Sequence, residues 1–211
     1  MSVALIDYGA GNLHSVANAL KAAGAENVAV TADPAVVARA DRVVLPGVGS
    51  FKACAEGLRA IPGLVEAIEA RVLRDAAPFL GICVGMQLLA TRGVEHGITQ
   101  GLGWIPGEVR LIEARDAKVK IPHMGWNDVA LTWDAGGEVA HPPLIVPGEA
   151  YFLHSYQFHA DNPAHVAAVT EHGEDVTAAV ARDNIVGVQF HPEKSQGFGL
   201  ALLARFLEWR P

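Results

Sequence analysis

The stretch that decides the fold is FLGICVG, which runs from Phe79 to Gly85. Its first residues form a short apolar run, typical of a strand buried in the middle of a sheet. Glycines stand two residues before and two residues after Cys83, where the strand is expected to enter a helix. So tight a turn has no room for side chains at the glycine positions, and it strains the backbone of the residue between them. The pattern predicts a nucleophilic cysteine at the end of a buried strand.

The sequence before this stretch alternates between short apolar runs and helical periodicity. The predicted strands are Val3–Asp7, Asn27–Ala32, Arg42–Leu45 and Pro78–Ile82. The predicted helices start near Leu13, Pro34 and Met86 and also cover Ala53–Ala60 and Leu64–Asp75. Strands that alternate with helices pair in parallel, because each crossover returns the chain to the same edge of the sheet. We therefore expect an α/β fold with a mostly parallel, doubly wound sheet and helices on both faces.

The pattern changes after Gly93, where short β-branched and aromatic runs are separated by turn-forming residues. Examples of these runs are Glu108–Glu113, Asp128–Trp133, Tyr151–His154 and His165–Thr170. They predict an additional region of antiparallel strands that extends or covers the parallel sheet. One more apolar strand, Ile185–Phe190, and an amphipathic helix, Phe198–Trp209, close the sequence. No linker or repeat separates these parts, so residues 1–211 are predicted to form a single domain.

Composition narrows the classes of partner. The chain has 16 basic and 23 acidic side chains and a formal charge of −7, which disfavours nucleic acid or an anionic membrane as a partner. Its two cysteines form no C-x-x-C pair, as expected in a reducing compartment. The N-terminal residues lack a signal peptide, and no apolar run is long enough to span a bilayer. We expect a soluble, cytoplasmic protein.

A cysteine nucleophile needs a histidine base and a group that orients the base. His191 and Glu193 directly follow the strand Ile185–Phe190, with a proline between them. The carboxyl ends of parallel strands share one edge of a sheet, so these residues can meet Cys83 although they are far away in sequence. The sequence predicts a catalytic triad of Cys83, His191 and Glu193. Cys54, in a helical stretch, is interpreted as a packing residue.

Acyl transfer also needs hydrogen-bond donors for the oxyanion. In a nucleophile elbow one donor is the backbone N–H of the next residue, here Val84. The turn Gly47-Val48-Gly49 follows a neighbouring strand and offers a second backbone N–H. An ordinary strand-to-helix turn accounts for the same residues equally well.

Two other kinds of site are compatible with parts of the sequence. The sequence GAGN at Gly9–Asn12 resembles a dinucleotide turn, but His14 replaces the third glycine and no acidic residue ends the next strand. A tight turn with Asn12 at its tip is the stronger interpretation. Cys83, His191 and Glu193 are also zinc-ligand types, but no closely spaced ligand pair supports a metal. We expect neither metal nor cofactor.

The segments GICVGMQ, at Gly81–Gln87, and HPE, at His191–Glu193, resemble the class I glutamine amidotransferases. That family carries a Cys-His-Glu triad on an α/β sheet. The likeness is closer to one branch, the glutaminase subunits of imidazole glycerol phosphate synthases in histidine biosynthesis. It rests on Asp7–Leu13, Pro46–Gly49, Gly125–Asn127, His154–Tyr156 and Pro192–Ser195. Met86 separates the chain from the anthranilate branch, which usually has histidine there.

The resemblance implies that the chain hydrolyses glutamine through a thioester on Cys83 and passes ammonia to a partner. The implied partner is a barrel-type synthase (cyclase) subunit, bound in a heterodimer, that makes imidazole glycerol phosphate and aminoimidazole carboxamide ribotide. Glutaminases of this branch are nearly silent until the synthase binds its ligand, and our hypothesis is that the turn Gly47–Gly49 is the switch. The implied glutamine-binding residues are Gln87, His154, Ser155 and Tyr156, and the implied interface residues are Asn12, Trp126, Tyr151 and Lys194.

Two rival functions remain open at the level of sequence. The triad does not distinguish this branch from the glutaminases that serve pyridoxal phosphate or anthranilate synthesis. A catalytically dead binding module on the same fold is the other rival, and the intact Cys83, His191 and Glu193 argue against it. Identification of the partner distinguishes this branch from the other glutaminases. Reaction of Cys83 with a glutamine-analogue electrophile distinguishes an active enzyme from a dead module.

Overall fold

The computed structural model describes residues 1–113, 119–132 and 142–211. Within these ranges the chain forms thirteen strands and six α-helices. The strands are β1 (Ser2–Ile6), β2 (Asn27–Thr31), β3 (Arg42–Gly47), β4 (Phe79–Cys83), β5 (Arg92–Gly93), β6 (Thr99–Gln100), β7 (Gly107–Leu111), β8 (His123–Leu131), β9 (Gly148–His154), β10 (Tyr156–Ala160), β11 (Val166–Glu171), β12 (Asp175–Arg182) and β13 (Ile185–Val188). The helices are α1 (Leu13–Ala22), α2 (Pro34–Val37), α3 (Phe51–Arg59), α4 (Leu64–Glu69), α5 (Val84–Gln87) and α6 (Gln196–Glu208).

The strands form two sheets. The larger sheet has the order β2-β1-β3-β4-β13-β12-β11-β8-β9, and its first five strands are parallel while the rest are antiparallel. The strand order reverses direction at β1, which makes the parallel part doubly wound. The smaller sheet has the order β10-β7-β5-β6. The predicted α/β class, with a parallel sheet and an antiparallel addition, is confirmed.

The helix after Cys83 is the clearest departure from the sequence-based expectation. It begins at Val84, directly after the nucleophile, and ends at Gln87, whereas the periodicity predicted a helix from about Met86. The carbonyls of Leu88, Leu89 and Ala90 instead accept the backbone N–H groups of Leu102, Ile105 and Gly103. Because these carbonyls have their hydrogen-bond donors in a distant segment, they are not used for further helical turns, and the helix ends at Gln87.

Other boundaries differ by smaller amounts. The predicted helix over Leu64–Asp75 consists of α4 followed by a π-helical turn at Ala70–Arg74. Trp133, the last residue of the predicted strand Asp128–Trp133, lies outside the described residues. No helix in the described part of the chain is long and apolar enough to cross a membrane.

The parallel strands bring the predicted site residues to one edge of the sheet. In the register of β3 and β4, Gly47 pairs with Cys83. β13 lies on the other side of β4, and the chain reaches His191 three residues after this strand ends. All five residues of β4 are buried, because strands flank it on both sides and helices cover the faces. The fold thus joins segments more than 100 residues apart.

Candidate active site

Cys83 lies in the strained turn that the glycine pattern predicted. Its φ is +55°, a left-handed conformation that is unfavourable for a residue with a side chain, and the residue is 4 % exposed. A Cβ atom on Gly85 would lie 1.9 Å from the carbonyl oxygen of Leu45, and one on Gly81 would lie 2.7 Å from that of Gly85. Backbone atoms therefore occupy the space beside both glycines. The elbow holds Cys83 at the mouth of a pocket.

His191 and Glu193 form a buried pair beside this elbow. The Nδ1 atom of His191 donates to Oε1 of Glu193 at 2.8 Å, and their side chains are 3 % and 1 % exposed. Because a carboxylate only accepts, Nδ1 carries the proton and Nε2 is left to exchange one with the thiol. Burial alone lowers the pKa of His191, but its interactions with Cys83 and Glu193 outweigh burial and raise that pKa to about 9. The imidazolium form is thereby favoured.

The backbone around His191 is fixed from two sides. Its N–H donates to the carbonyl of Tyr151 at 2.9 Å, and its carbonyl accepts the hydroxyl of Ser195 at 2.7 Å. Ser195 Oγ in turn accepts the N–H of Tyr151 at 3.0 Å. The histidine is therefore tied to β9, the edge strand of the large sheet. The sequence did not single out Ser195 for this role.

A pocket of about 170 Å³ opens onto Cys83 and His191. It is lined by Val48, Gly49, Cys83, Val84, Gln87, Glu95, Leu153, His154, Ser155, Tyr156, His191 and Lys194. Every residue predicted to bind glutamine is among them. Glu95 and Leu153 were not predicted, since neither belongs to a motif, and the fold alone carries them to the pocket. Glu95 is held there by accepting the N–H of Phe51 at 2.8 Å.

The turn predicted to serve the oxyanion reaches the pocket only in part. Val48 and Gly49 line it, whereas Gly47 lies beneath the elbow, where a Cβ atom would come within 2.7 Å of the nitrogen of Gly85. Gly49 has a φ of +99° and open space around its α-carbon. The carbonyl of Val48 accepts the thiol of Cys54 at 3.4 Å. Burial raises the pKa of Cys54, which keeps this thiol a neutral donor.

Comparison with known proteins decides the family. The model of the family described as glutamine amidotransferase class-I matches residues 4–208. The chain belongs to the class I glutamine amidotransferases. It is 59 % identical to the imidazole glycerol phosphate synthase subunit HisH of Zymomonas mobilis subsp. mobilis, over 100 % of this chain and 97 % of that protein. It is 51 % identical to the subunit of the same name from Brucella suis biovar 1, over 100 % of both chains.

Solved structures agree on the fold. The structure of PurLQS from Thermotoga maritima matches with a TM-score of 0.71 at 16 % identity, and the match covers 98 % of this chain and 97 % of that one. A structure described as a glutamine amidotransferase matches with a TM-score of 0.72 at 19 % identity, covering 99 % of this chain and 98 % of that one. Both likenesses concern the class I amidotransferase fold.

Two buried amides connect the elbow of this amidotransferase with the far wall of the pocket. Gln87 donates from Nε2 to the carbonyl of Tyr156 at 3.1 Å and to Oε1 of Gln189 at 3.0 Å. Both N–H groups of Gln87 are therefore committed, and only its Oε1 remains for a substrate. Gln189, which the sequence did not single out, contacts Sγ of Cys83 through Nε2 at 3.7 Å. The one available signal was an amide in an otherwise apolar strand.

A chain of neutral histidines supports the segment His154–Tyr156. Nδ1 of His154 must donate to the carbonyl of Tyr156, at 2.9 Å, so its Nε2 accepts from Nδ1 of His123 at 3.1 Å. Nε2 of His123 then accepts from Nδ2 of Asn127 at 3.1 Å. Burial, as the main cause, lowers the pKa of His123 to about 3 and that of His154 to about 4, so both rings are neutral at pH 7. This network holds one wall of the amidotransferase pocket.

Three of the four predicted interface residues lie together. Trp126 is 47 % exposed and meets the ring of Tyr151 edge-on at 6.1 Å, while Nζ of Lys194 lies 5.8 Å from the same ring. The exposure of Trp126 shows that it is a surface residue and not part of the core. Asn12 is exposed at the start of α1, where its side chain accepts the N–H of Ser15 and caps the helix.

The first glycine cluster forms a turn, with φ of +83° at Gly9 and +109° at Gly11. A Cβ atom on Gly11 would lie 3.0 Å from the ring of Pro46, so this turn packs against the segment that leads to the oxyanion turn. Tyr8, which precedes the turn, donates its hydroxyl to the carbonyl of Pro46 at 2.7 Å. Gly11 and Tyr8 thus support the active site by packing against Pro46. Among the described residues, no three histidine, cysteine or acidic side chains are grouped as metal ligands would be.

Proposed function

We propose that this chain is the glutaminase subunit of an imidazole glycerol phosphate synthase in histidine biosynthesis. The observation that carries the proposal is the strained Cys83 beside the buried His191–Glu193 pair, in a family member whose relatives of the same length are named HisH. We further propose that residues 1–211 act as one glutaminase domain. Two free, buried cysteines and a biosynthetic role fit the cytoplasm as its location.

The first half-reaction releases ammonia. The thiolate of Cys83, whose proton is held by His191, attacks the side-chain amide carbon of glutamine, and the carbonyl oxygen takes up negative charge as the tetrahedral intermediate forms. The N–H of Val84 and an N–H of the turn at Val48 and Gly49 stabilise this oxyanion. His191 then gives its proton to the departing nitrogen, the C–N bond breaks, and a thioester remains on Cys83.

The second half-reaction restores the enzyme. His191, now neutral at Nε2, takes a proton from water, and the resulting nucleophile attacks the thioester carbon. The C–S bond breaks and glutamate leaves, which restores the thiolate of Cys83 beside the protonated His191. Glu193 keeps the ring in one orientation and stabilises its charged form at both stages. The raised pKa of His191, about 9, matches a group that must hold a proton until the amine leaves.

The position of Gly49 suggests how a silent enzyme is switched on. Rotation of the Val48–Gly49 peptide moves its N–H relative to the oxyanion, and the thiol of Cys54 holds the carbonyl of that peptide in the conformation seen here. Glycine adopts both signs of φ at little cost, so the rotation is accessible at Gly49. We propose that the loaded synthase subunit changes the balance between the two orientations.

Replacing Gly49 with alanine is expected to raise glutaminase activity in the absence of the synthase ligand about fivefold, and so to lower the stimulation by that ligand, because alanine disfavours the φ of the silent conformation seen here. The new Cβ atom meets nothing within 4 Å, so the substitution acts only by making a φ of +99° unfavourable, by roughly 1 kcal/mol. Gly24→Ala is the matched control, because Gly24 has a φ of +106° and equally open space at the end of α1. Stimulation is measured as ammonia release with and without the synthase ligand. Full stimulation of Gly49→Ala would place the switch elsewhere.

The proposed partner is a barrel-type synthase subunit that binds next to the pocket to form a heterodimer. Met124 and Trp126 are 66 % and 47 % exposed and lie on the same side of β8. They pair across the strands with Leu153 and Tyr151 of β9. We call these four side chains the apolar face. Leu153 also lines the pocket, so a partner seated here would cover the exit through which ammonia must pass.

Replacing Trp126 with alanine is expected to weaken binding of the synthase subunit by at least tenfold. Tryptophan at the centre of an exposed apolar patch is a frequent hot spot, and its truncation costs about 2 kcal/mol or more. Leu73→Ala is the control. Leu73 is 50 % exposed, and it lies near Asn184 at the start of β13, which is the end of the parallel strands away from the pocket. Binding is measured by calorimetry or by a pull-down titration. Equal affinities for the two variants would remove the apolar face from the interface.

The proposed function is tested by supplying nitrogen in two forms. With ammonium salt, the synthase subunit alone should make imidazole glycerol phosphate from its phosphorylated substrate. With glutamine as the nitrogen source, product should form only when this chain is added. If glutamine supports product formation with a pyridoxal phosphate or anthranilate synthase and not with this one, the chain belongs to another branch of the family.

A further inference from the structure

Gln189 is a buried amide next to the nucleophile. It follows β13 directly, is 0 % exposed, and lies two residues before His191. Its backbone N–H donates to the carbonyl of Ala178 at 2.9 Å, so the main chain is fixed by the neighbouring strand. Its side chain ends between Cys83 and Gln87. A buried polar side chain in this position needs both ends of its amide satisfied.

The hydrogen bonds determine which end of the amide faces the sulfur. The carbonyl oxygen of Tyr156 can only accept, so the atom of Gln87 that lies 3.1 Å from it is the nitrogen. The atom of Gln189 that lies 3.0 Å from this nitrogen is then the oxygen. The nitrogen of Gln189 is left on the side of Cys83, 3.7 Å from Sγ. Gln87 thus fixes the direction of the second amide.

We propose that Gln189 is a catalytic residue whose side-chain N–H stabilises negative charge on the sulfur of Cys83, and that Gln87 is the positioning residue that keeps this N–H directed at the sulfur. The proposal deepens the proposed glutaminase function, on which it rests. It gives Gln87 a second task besides contact with substrate.

The N–H of Gln189 would act at the two points where sulfur carries charge. The thiolate that attacks glutamine is stabilised before the C–S bond forms, and the thiolate that leaves is stabilised when water breaks the thioester. In the thioester itself the sulfur is neutral and the hydrogen bond weakens. Gln189 thus complements the oxyanion donors, which act on the oxygen between these two points.

Other titratable groups also influence this sulfur. His191, with Glu193 behind it, is paired with Cys83, while Tyr8 and Cys54 approach from the side of the oxyanion turn. Burial, the largest cause, raises the pKa of Tyr8 above its usual value, so the phenol stays neutral. Glu95, His154 and Lys194 line the same pocket. An effect of Gln189 therefore has to be measured with all of these groups in place.

The test is the pH dependence of Cys83 alkylation by iodoacetamide in the full chain, followed by mass spectrometry of the Cys83 peptide. Gln189→Met keeps the approximate size of the side chain and removes both polar groups. A hydrogen bond to a charged group is worth roughly a tenfold change in equilibrium or more. The pH midpoint of alkylation is expected to move up by about one unit relative to the wild-type chain.

Gln157→Met is the matched control. Gln157 is 1 % exposed and bonds to Glu174 and to the N–H of Thr177, away from Cys83. It therefore reports what an apolar replacement of a buried glutamine does by itself. Loosening of the fold would raise alkylation at every pH without moving the midpoint. Equal midpoints for Gln189→Met and Gln157→Met would overturn the proposal.

Gln87→Met provides a second route if Gln189→Met does not fold. It leaves Gln189 in place but frees its amide to turn, so a smaller upward shift of the midpoint is expected. An unchanged midpoint for Gln87→Met would refute the positioning role. Because alkylation needs neither glutamine nor the synthase, these results are independent of ammonia release. A wild-type chain that never releases ammonia would contradict the proposed function instead.

Discussion

Replacing Cys83 with alanine is expected to abolish glutamine-dependent ammonia release, by a factor on the order of 10⁴ or more. Alanine leaves the pocket and the His191–Glu193 pair intact but removes the atom that forms the thioester. Water then has to attack the amide directly, helped only by binding and the oxyanion donors. Ammonia is measured with the synthase subunit and its ligand present, because the free glutaminase is expected to be nearly silent.

A covalent label shows whether Cys83 acts as the nucleophile or only contributes to folding. A glutamine-analogue electrophile should add one group to the wild-type chain and none to Cys83→Ala. Cys54→Ala should keep the label, since Cys54 is buried at 0 % exposure behind the oxyanion turn. The rate with ammonium salt as nitrogen source should be unchanged in the complex with Cys83→Ala. Equal ammonia release from wild type and Cys83→Ala would refute the mechanism.

Replacing Gly85 with alanine is expected to lower stability by about 3 kcal/mol and to remove most of the activity. A Cβ atom would lie 1.9 Å from the carbonyl oxygen of Leu45, which belongs to the central strand β3. This oxygen is backbone and cannot rotate away as a side chain would. The elbow has to move instead, and Cys83, two residues earlier, moves with it. The free energy of unfolding is measured by urea denaturation and the activity by ammonia release.

Gly197→Ala is the matched control for this substitution. Gly197 lies in α6, is exposed, and a Cβ atom added there would meet no heavy atom within 4 Å. Alanine is the better helix former, so this variant should be neutral or more stable by up to about 0.5 kcal/mol. If Gly85→Ala kept both the stability and the activity of Gly197→Ala, close packing of the elbow would not be what holds Cys83.

The sequence alone predicted the parallel half of the sheet and the elbow, for local reasons. Apolar runs such as Phe79–Ile82 and glycines at fixed distances from Cys83 are patterns within a few residues. It failed at the helix after Cys83, because the carbonyls of Leu88 and Ala90 are satisfied by donors more than ten residues away. Whether these carbonyls bond within a helix or to a distant loop is not visible in the spacing of apolar residues along the chain.

The candidate site divides in the same way. Cys83, His191 and Glu193 were predicted because their residue types and the strand ends that carry them are visible in one dimension. Their roles, and those of Gly47, Val48 and Gly49, await the experiments above. The sequence did not predict Glu95, His123 or Gln189, because none of them belongs to a motif. Only folding brings them to the pocket or to the residues that line it.

The sequence by itself determined which side chains are candidates for the nucleophile, the base and the orienting acid, since residue types and local turns can be read along the chain. Only the tertiary structure decided how that chemistry is supported. The amide nitrogen of Gln189 faces Cys83 because Nε2 of Gln87, 102 residues away in sequence, donates to the oxygen of the same amide. The apolar face exists because β8 and β9 pair in one register. Contacts between distant segments depend on the whole fold, and spacing along the chain does not encode them.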